Sequence, residues 1–112
     1  MTMRRHTVPI SGWGRCPVET CDLYRPASVA ALREGMTGGP FGSAIPRGLG
    51  RSYGDAALNR GDGVLLTGAL NRMLAFDERA GVLHAEAGVS IAAIFAHLLP
   101  RGWFVATTPG TK

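Results

Sequence analysis

This 112-residue sequence predicts an α+β fold. Three observations carry the prediction. Two segments place apolar residues at helical spacing. Several short apolar runs are bounded by glycine and proline. Two strand-like runs flank the turn Asp77-Glu78-Arg79-Ala80-Gly81, which reads as a hairpin. Both helices are expected to cover one small mixed sheet with their apolar faces.

The elements follow in order. Residues 1–20 read as an arm, extended from Met1 to Cys16 and punctuated by Ser11, Gly12, Trp13, Gly14 and Pro17. Residues 21–112 read as a single, incomplete domain. Cys21 to Tyr24 is a short strand that Arg25 and Pro26 end. A helix starts near Ser28, with Val29, Leu32 and Met36 recurring on one face; Gly35 and the cluster Thr37 to Pro40 stop it. Ser43 to Ile45 is short and apolar. Pro46 opens a loop, Arg47 to Asp55, that holds Gly48, Gly50 and Gly54. Gly63 to Leu66 is the next strand, followed by Asn71 to Phe76 and the hairpin return from Val82 to Ala87. In the return, Leu83, Ala85 and Ala87 alternate with His84 and Glu86, so the first set faces the core and the second faces water. Gly88 ends it and Ser90 caps a second helix. Ile91, Ile94, Phe95, Leu98 and Leu99 form its apolar stripe. Pro100 and Gly102 close that helix, and Trp103 to Thr107 is a short extended segment.

Composition narrows the function classes. Hydrophobic residues make up 46%, which excludes wholesale disorder. Lys and Arg number 12 against 8 Asp and Glu, a net charge of +4. The arginines are dispersed, with no run longer than Arg4-Arg5. That argues against a nucleic-acid partner, which calls for basic residues clustered on one face. The longest apolar run, around Ile91 to Leu99, is interrupted by His97 and is far shorter than the roughly 20 residues of a transmembrane span. No apolar stretch follows Arg4 and Arg5 as a secretory signal requires, so a cytoplasmic location is expected. Cys16 and Cys21 lack the spacing of a redox pair and have no second pair at ligand spacing, so they read as reduced thiols rather than a metal site.

The chemistry concentrates in Pro46-Arg47-Gly48-Leu49-Gly50-Arg51-Ser52-Tyr53-Gly54-Asp55. Glycines let several backbone N–H groups converge on one point, forming an anion nest suited to a pyrophosphate. Arg47 and Arg51 add charge and Ser52 a hydroxyl donor. The spacing is not that of a dinucleotide fingerprint, because the third glycine falls one position late and no helical periodicity follows Gly54. Gly110-Thr111-Lys112 likewise lacks the pattern of a P-loop. Asp55 and Asp62 flank loops as turn stabilisers, and His84 and His97 read as solvated side chains. Tyr53 packs against a ligand or fills the underside of the loop. Trp13 reads as an anchor for the arm.

The loop RGLGRSYGD resembles the first FAD-pyrophosphate loop of the vanillyl-alcohol oxidase / p-cresol methylhydroxylase flavoproteins, in the branch of decaprenylphosphoryl-β-D-ribose oxidase-like oxidoreductases. Further segments fit in order: Gly12-Trp13-Gly14-Arg15, Tyr24-Arg25-Pro26, the hairpin ending in Glu86-Ala87-Gly88-Val89, and Gly102-Trp103-Phe104 leading to Thr108-Pro109-Gly110-Thr111. The resemblance implies a truncated PCMH-type FAD-binding N-terminal subdomain. Its cofactor contacts would be Pro46, Arg47, Gly48, Leu49, Gly50, Arg51, Ser52, Tyr53, Gly54, Asp55 and Ala56, with Gly110 beyond them. Many members of this family attach flavin through a histidine in this loop. Arg51 stands at that position here, and no histidine lies between His6 and His84, so FAD is expected to be held non-covalently. The resemblance further implies oxidation of a secondary alcohol on a sugar or sugar-lipid, and a short-chain reductase as partner. An aldonolactone or alditol oxidase of the D-arabinono-1,4-lactone oxidase type is the alternative within the family. Ending inside the second FAD segment, the chain is expected to be a fragment with no catalytic residues and weak flavin affinity on its own. A truncated, non-catalytic protein is the reading from another class.

Overall fold

In the computed structural model, which describes residues 3–110, seven residues of the N-terminal arm form a strand. β1 (Arg5–Ser11) pairs antiparallel with β2 (Val18–Tyr24) along its whole length, Arg5 opposite Tyr24 and Ser11 opposite Val18. β2 extends back to Val18, which pairs with Ser11. Cys21 and Tyr24, on opposite faces of the strand, are both buried, and Val18 is exposed. After α1 (Val29–Gly38) come β3 (Ala44–Arg47) and β4 (Gly63–Leu66). β4 pairs parallel with both β2 and β3, giving the order β1-β2-β4-β3. Its run Gly63-Val64-Leu65 is buried, as the unbroken apolar sequence of a central strand requires.

The chain divides after Leu70 into two compact units. The second holds β5 (Met73–Asp77), β6 (Val82–Ala85), α2 (Ile91–Leu98) and a 3₁₀ turn, Leu99–Arg101. The single sheet expected from the sequence is therefore two, a four-stranded mixed sheet and a two-stranded antiparallel one, with one helix in each unit.

Both helix starts follow from their caps. Ser28 Oγ accepts from Ala31 N at 3.1 Å, and Ser90 Oγ accepts from Ala93 N at 3.0 Å. The buried face of α1 differs from expectation. Val29 and Met36 are exposed, and the buried residues are Ala31 and Gly35, one helical turn apart. Gly35 does not stop the helix; the Met3 side chain lies where a Cβ at Gly35 would project, so small residues make room for it. In α2 only Leu98 is buried, and Leu99 has passed into the 3₁₀ turn and is exposed. Phe95 stacks on Phe104 at 4.8 Å, and Phe76 meets Trp103 edge-on at 5.4 Å.

The hairpin turn forms where the sequence places it. Asp77 Oδ1 accepts from Arg79 N and Ala80 N, and Gly81 N donates to Asp77 O at 2.8 Å. The alternation of the return strand fails at its end. β6 stops at Ala85, Glu86 is buried and Ala87 is exposed. Glu86 turns inward because Arg72 holds it twice. Arg72 O accepts from Glu86 N at 2.9 Å, and Arg72 Nε donates to Glu86 Oε1 at 2.6 Å. His84 is exposed, as expected.

One carboxylate ties the start of β3 to the start of β4. Asp62 accepts from Gly42 N (3.1 Å), Ser43 N (2.8 Å), Ser43 Oγ (3.0 Å) and Gly63 N (2.9 Å). Burial acts to raise its pKa, but the donors of Ser43, Gly63 and Gly42 together hold it below the ordinary aspartate value.

Candidate functional site

The glycine loop leaves the sheet at the end of β3, the edge strand paired with β4. Pro46 and Arg47 belong to β3, so the loop proper starts at Gly48, two residues later than the sequence implied. Gly48 to Ser52 has no regular structure and a turn follows over 54–57. Ala56 N donates to Tyr53 O at 3.3 Å and Leu58 N to the backbone carbonyl of Asp55 at 3.0 Å. Leu49, Ser52, Gly54, Asp55 and Ala56 are exposed, as is Arg51.

Arg47 is the residue whose placement matters most. Its side chain folds back under the loop. Nη2 donates to Ser11 O at 2.7 Å, and a Cβ on Gly50 would lie 2.6 Å from the same Nη2. Gly50 has φ +73°, a left-handed conformation that a side chain would strain in addition to colliding with the guanidinium. The other terminal nitrogen, Nη1, is buried and has no hydrogen-bond partner. An unpartnered buried donor on a charged group is unfavourable. A Cβ built on Gly48 or Gly54 meets nothing within 4 Å, so both glycines border open space. Glycine backbone, open space and a cation below it make an arrangement suited to a phosphate or pyrophosphate.

The arm reaches the same loop. Trp13 N donates to Ser52 O at 2.9 Å, and its ring meets Tyr53 edge-on with centroids 5.7 Å apart. Trp13 thus anchors the arm, as expected. Tyr53 does not fill the underside of the loop; it is 75% exposed, because Arg47 occupies that position.

Gly110 belongs to the second unit and is exposed; Thr111 and Lys112 lie outside the described residues. Cys16 is exposed and Cys21 buried, both as free thiols. Among the described residues no cluster of His, Cys, Asp and Glu could hold a metal ion, and no helix is long and apolar enough to cross a membrane. The arrangement offers hydrogen-bond donors and positive charge, the chemistry of binding. The inward turn of Arg47 and the approach of residues 11–13 were the features that sequence reasoning missed. The adjacency of Gly12-Trp13-Gly14 to a strand end was their only signal.

Residues 42–112 match the family described as "FAD binding domain". The chain is also similar to decaprenylphosphoryl-beta-D-ribose oxidase of Mycolicibacterium smegmatis, 36% identical over 110 residues, which cover 95% of this chain and 24% of that protein. The chain thus spans about a quarter of the length of this curated relative.

Proposed function

The chain belongs to the FAD binding domain family, and from that premise we propose that its Gly48–Gly54 loop binds the pyrophosphate of non-covalently held FAD. The observation that carries this reading is the Arg47 guanidinium, whose Nη2 lies against the left-handed Gly50 of the loop. Arg47 supplies charge from below, and the backbone of Gly48, Gly50 and Gly54 lets the phosphates approach without a Cβ in the way. Ser52 and Arg51 stand at the exposed rim. The further contacts are residues 46–56 and Gly110, and the domain takes in residues 21–112 with the preceding arm. Non-covalent attachment is supported by Arg51 at the position where a linking histidine would stand.

The reaction of the whole protein is proposed as oxidation of a secondary alcohol on a sugar or sugar-lipid, on the strength of the oxidase relative. When bound, FAD supplies the redox chemistry by accepting the hydride of the alcohol carbon, while the protein positions and tunes it. The part of this chain is to hold the cofactor by its phosphates and fix its orientation.

An amide-resolved NMR titration with FAD tests the reading and registers weak binding as well as strong. Amides of 48–54 should shift, and Gly50→Val should abolish the shifts. Acid precipitation should then leave the flavin in the supernatant. Unmoved loop amides at millimolar FAD would overturn the site, and flavin retained in the pellet would overturn non-covalent attachment.

A further inference from the structure

We propose that Ser11, Gly12 and Trp13, which lie outside the matched segment 42–112, are positioning residues for the loop. They hold residues 50–54 in the conformation that takes the cofactor phosphates, an inference that rests on the FAD reading above. Three separate contacts carry it. The carbonyl of Ser11 accepts from Arg47 Nη2 at 2.7 Å and so fixes the guanidinium under Gly50. Gly12 is buried against the loop so closely that a Cβ would lie 2.5 Å from Ser52 O and 2.7 Å from Gly54 O. Both neighbours are backbone and cannot swing aside. Trp13 N donates to Ser52 O at 2.9 Å, with its ring on Tyr53.

These three residues sit at the end of β1, whose full-length pairing with β2 makes them a fixed support. The loop they support has no regular structure from Gly48 to Ser52 and would otherwise lose conformational freedom on binding. Holding it beforehand raises affinity without a direct contact to the ligand. Gly14, two residues on, is the internal control: a Cβ there meets nothing within 4 Å.

The test compares wild type, Gly12→Ala and Gly14→Ala in the full chain. It reads amide hydrogen exchange over 50–54, FAD affinity from the NMR titration, and the thermal midpoint. Gly12→Ala should speed loop exchange and weaken FAD binding by about tenfold or more, the loss expected for about one hydrogen bond. Gly14→Ala should match wild type in both and in melting, while Gly12→Ala, whose Cβ meets backbone, should melt lower, with its faster exchange concentrated in 50–54. If Gly12→Ala matches Gly14→Ala, or loosens the loop with unchanged FAD affinity, the proposal is overturned. Should Gly12→Ala not fold, Trp13→Ala against Trp13→Phe gives the same contrast. The alanine variant weakens binding and phenylalanine restores it, and an alanine variant indistinguishable from wild type overturns the proposal. A wild-type chain that binds no FAD sinks the flavin reading alone; the exchange contrast still decides whether residues 11–13 hold the loop.

Discussion

In the first unit, neighbours in space are far apart in sequence. β4 lies between β2 and β3, and Arg47 reaches Ser11 across 36 residues. In the second unit, β5 pairs with β6 across one tight turn, and Arg72 meets Glu86 only 14 residues away. The glycine loop belongs to the unit built from distant contacts. A loop without regular structure is fixed best by elements that are themselves fixed, and a sheet assembled from remote strands provides several around one point. In the second unit, most of the apolar stripe of α2 is only half-buried.

Four measurements would break or sharpen this contrast. The largest effect is expected at Tyr24, a fully buried ring of the first unit that meets Phe41 edge-on at 5.3 Å. Tyr24→Ala should destabilise by about 3–5 kcal/mol in chemical denaturation, as deletion of a core aromatic does. A loss below about 1 kcal/mol would show that the first unit does not depend on its central packing.

The ion pair of the second unit is asymmetric and should respond asymmetrically. The Glu86 side chain is 4% exposed and Arg72 68%. Arg72→Ala strands a buried carboxylate and should destabilise by about 2 kcal/mol, whereas Glu86→Ala releases a guanidinium already in water and should remove about 1 kcal/mol. Equal losses would mean that the pair acts as a surface contact.

Asp62 makes a pH prediction. Its pKa is lowered in the fold, so its contribution is fully present above the unfolded value of 3.8 and is lost as pH falls through the lower, folded one. Asp62→Asn should therefore flatten the stability profile below that value while lowering the plateau at neutral pH. A variant with an unchanged acid limb would remove Asp62 from the account.

The smallest effect is Tyr24→Phe. The Tyr24 hydroxyl is buried and has no partner, so its removal should be neutral or stabilise by up to about 1 kcal/mol. A clear loss of stability would reveal a hydrogen bond that the hydroxyl makes in solution.

What was legible in the sequence was local. Ser28 and Ser90 announced their helices, Gly63 to Leu66 its strand, and Asp77 to Gly81 its turn, because each signal lies within a few residues of its effect. The glycine loop was visible as a cluster of residues of one type. Failures came where a partner was remote. Val29 and Met36 match a helical stripe, yet Ala31 and Gly35 are buried, since the Met3 side chain decides that face. Glu86 fits the wet side of an alternating strand until Arg72 draws it in. Arg47 reads as a charge at the loop rim, and only the position of Ser11 turns it underneath.

The strand order carries a consequence for synthesis. β4 is the last strand of its sheet to leave the ribosome, yet it takes the place between β2 and β3. A nascent chain ending before Gly63 can zip β1 to β2, but β3 has nothing to pair with. The glycine loop connects β3 to β4, so its two ends are tied down together when the late strand slots into the gap. Formation of the glycine loop is thus a closing event in vectorial folding, timed by emergence of Gly63 to Leu66 rather than by emergence of the loop itself.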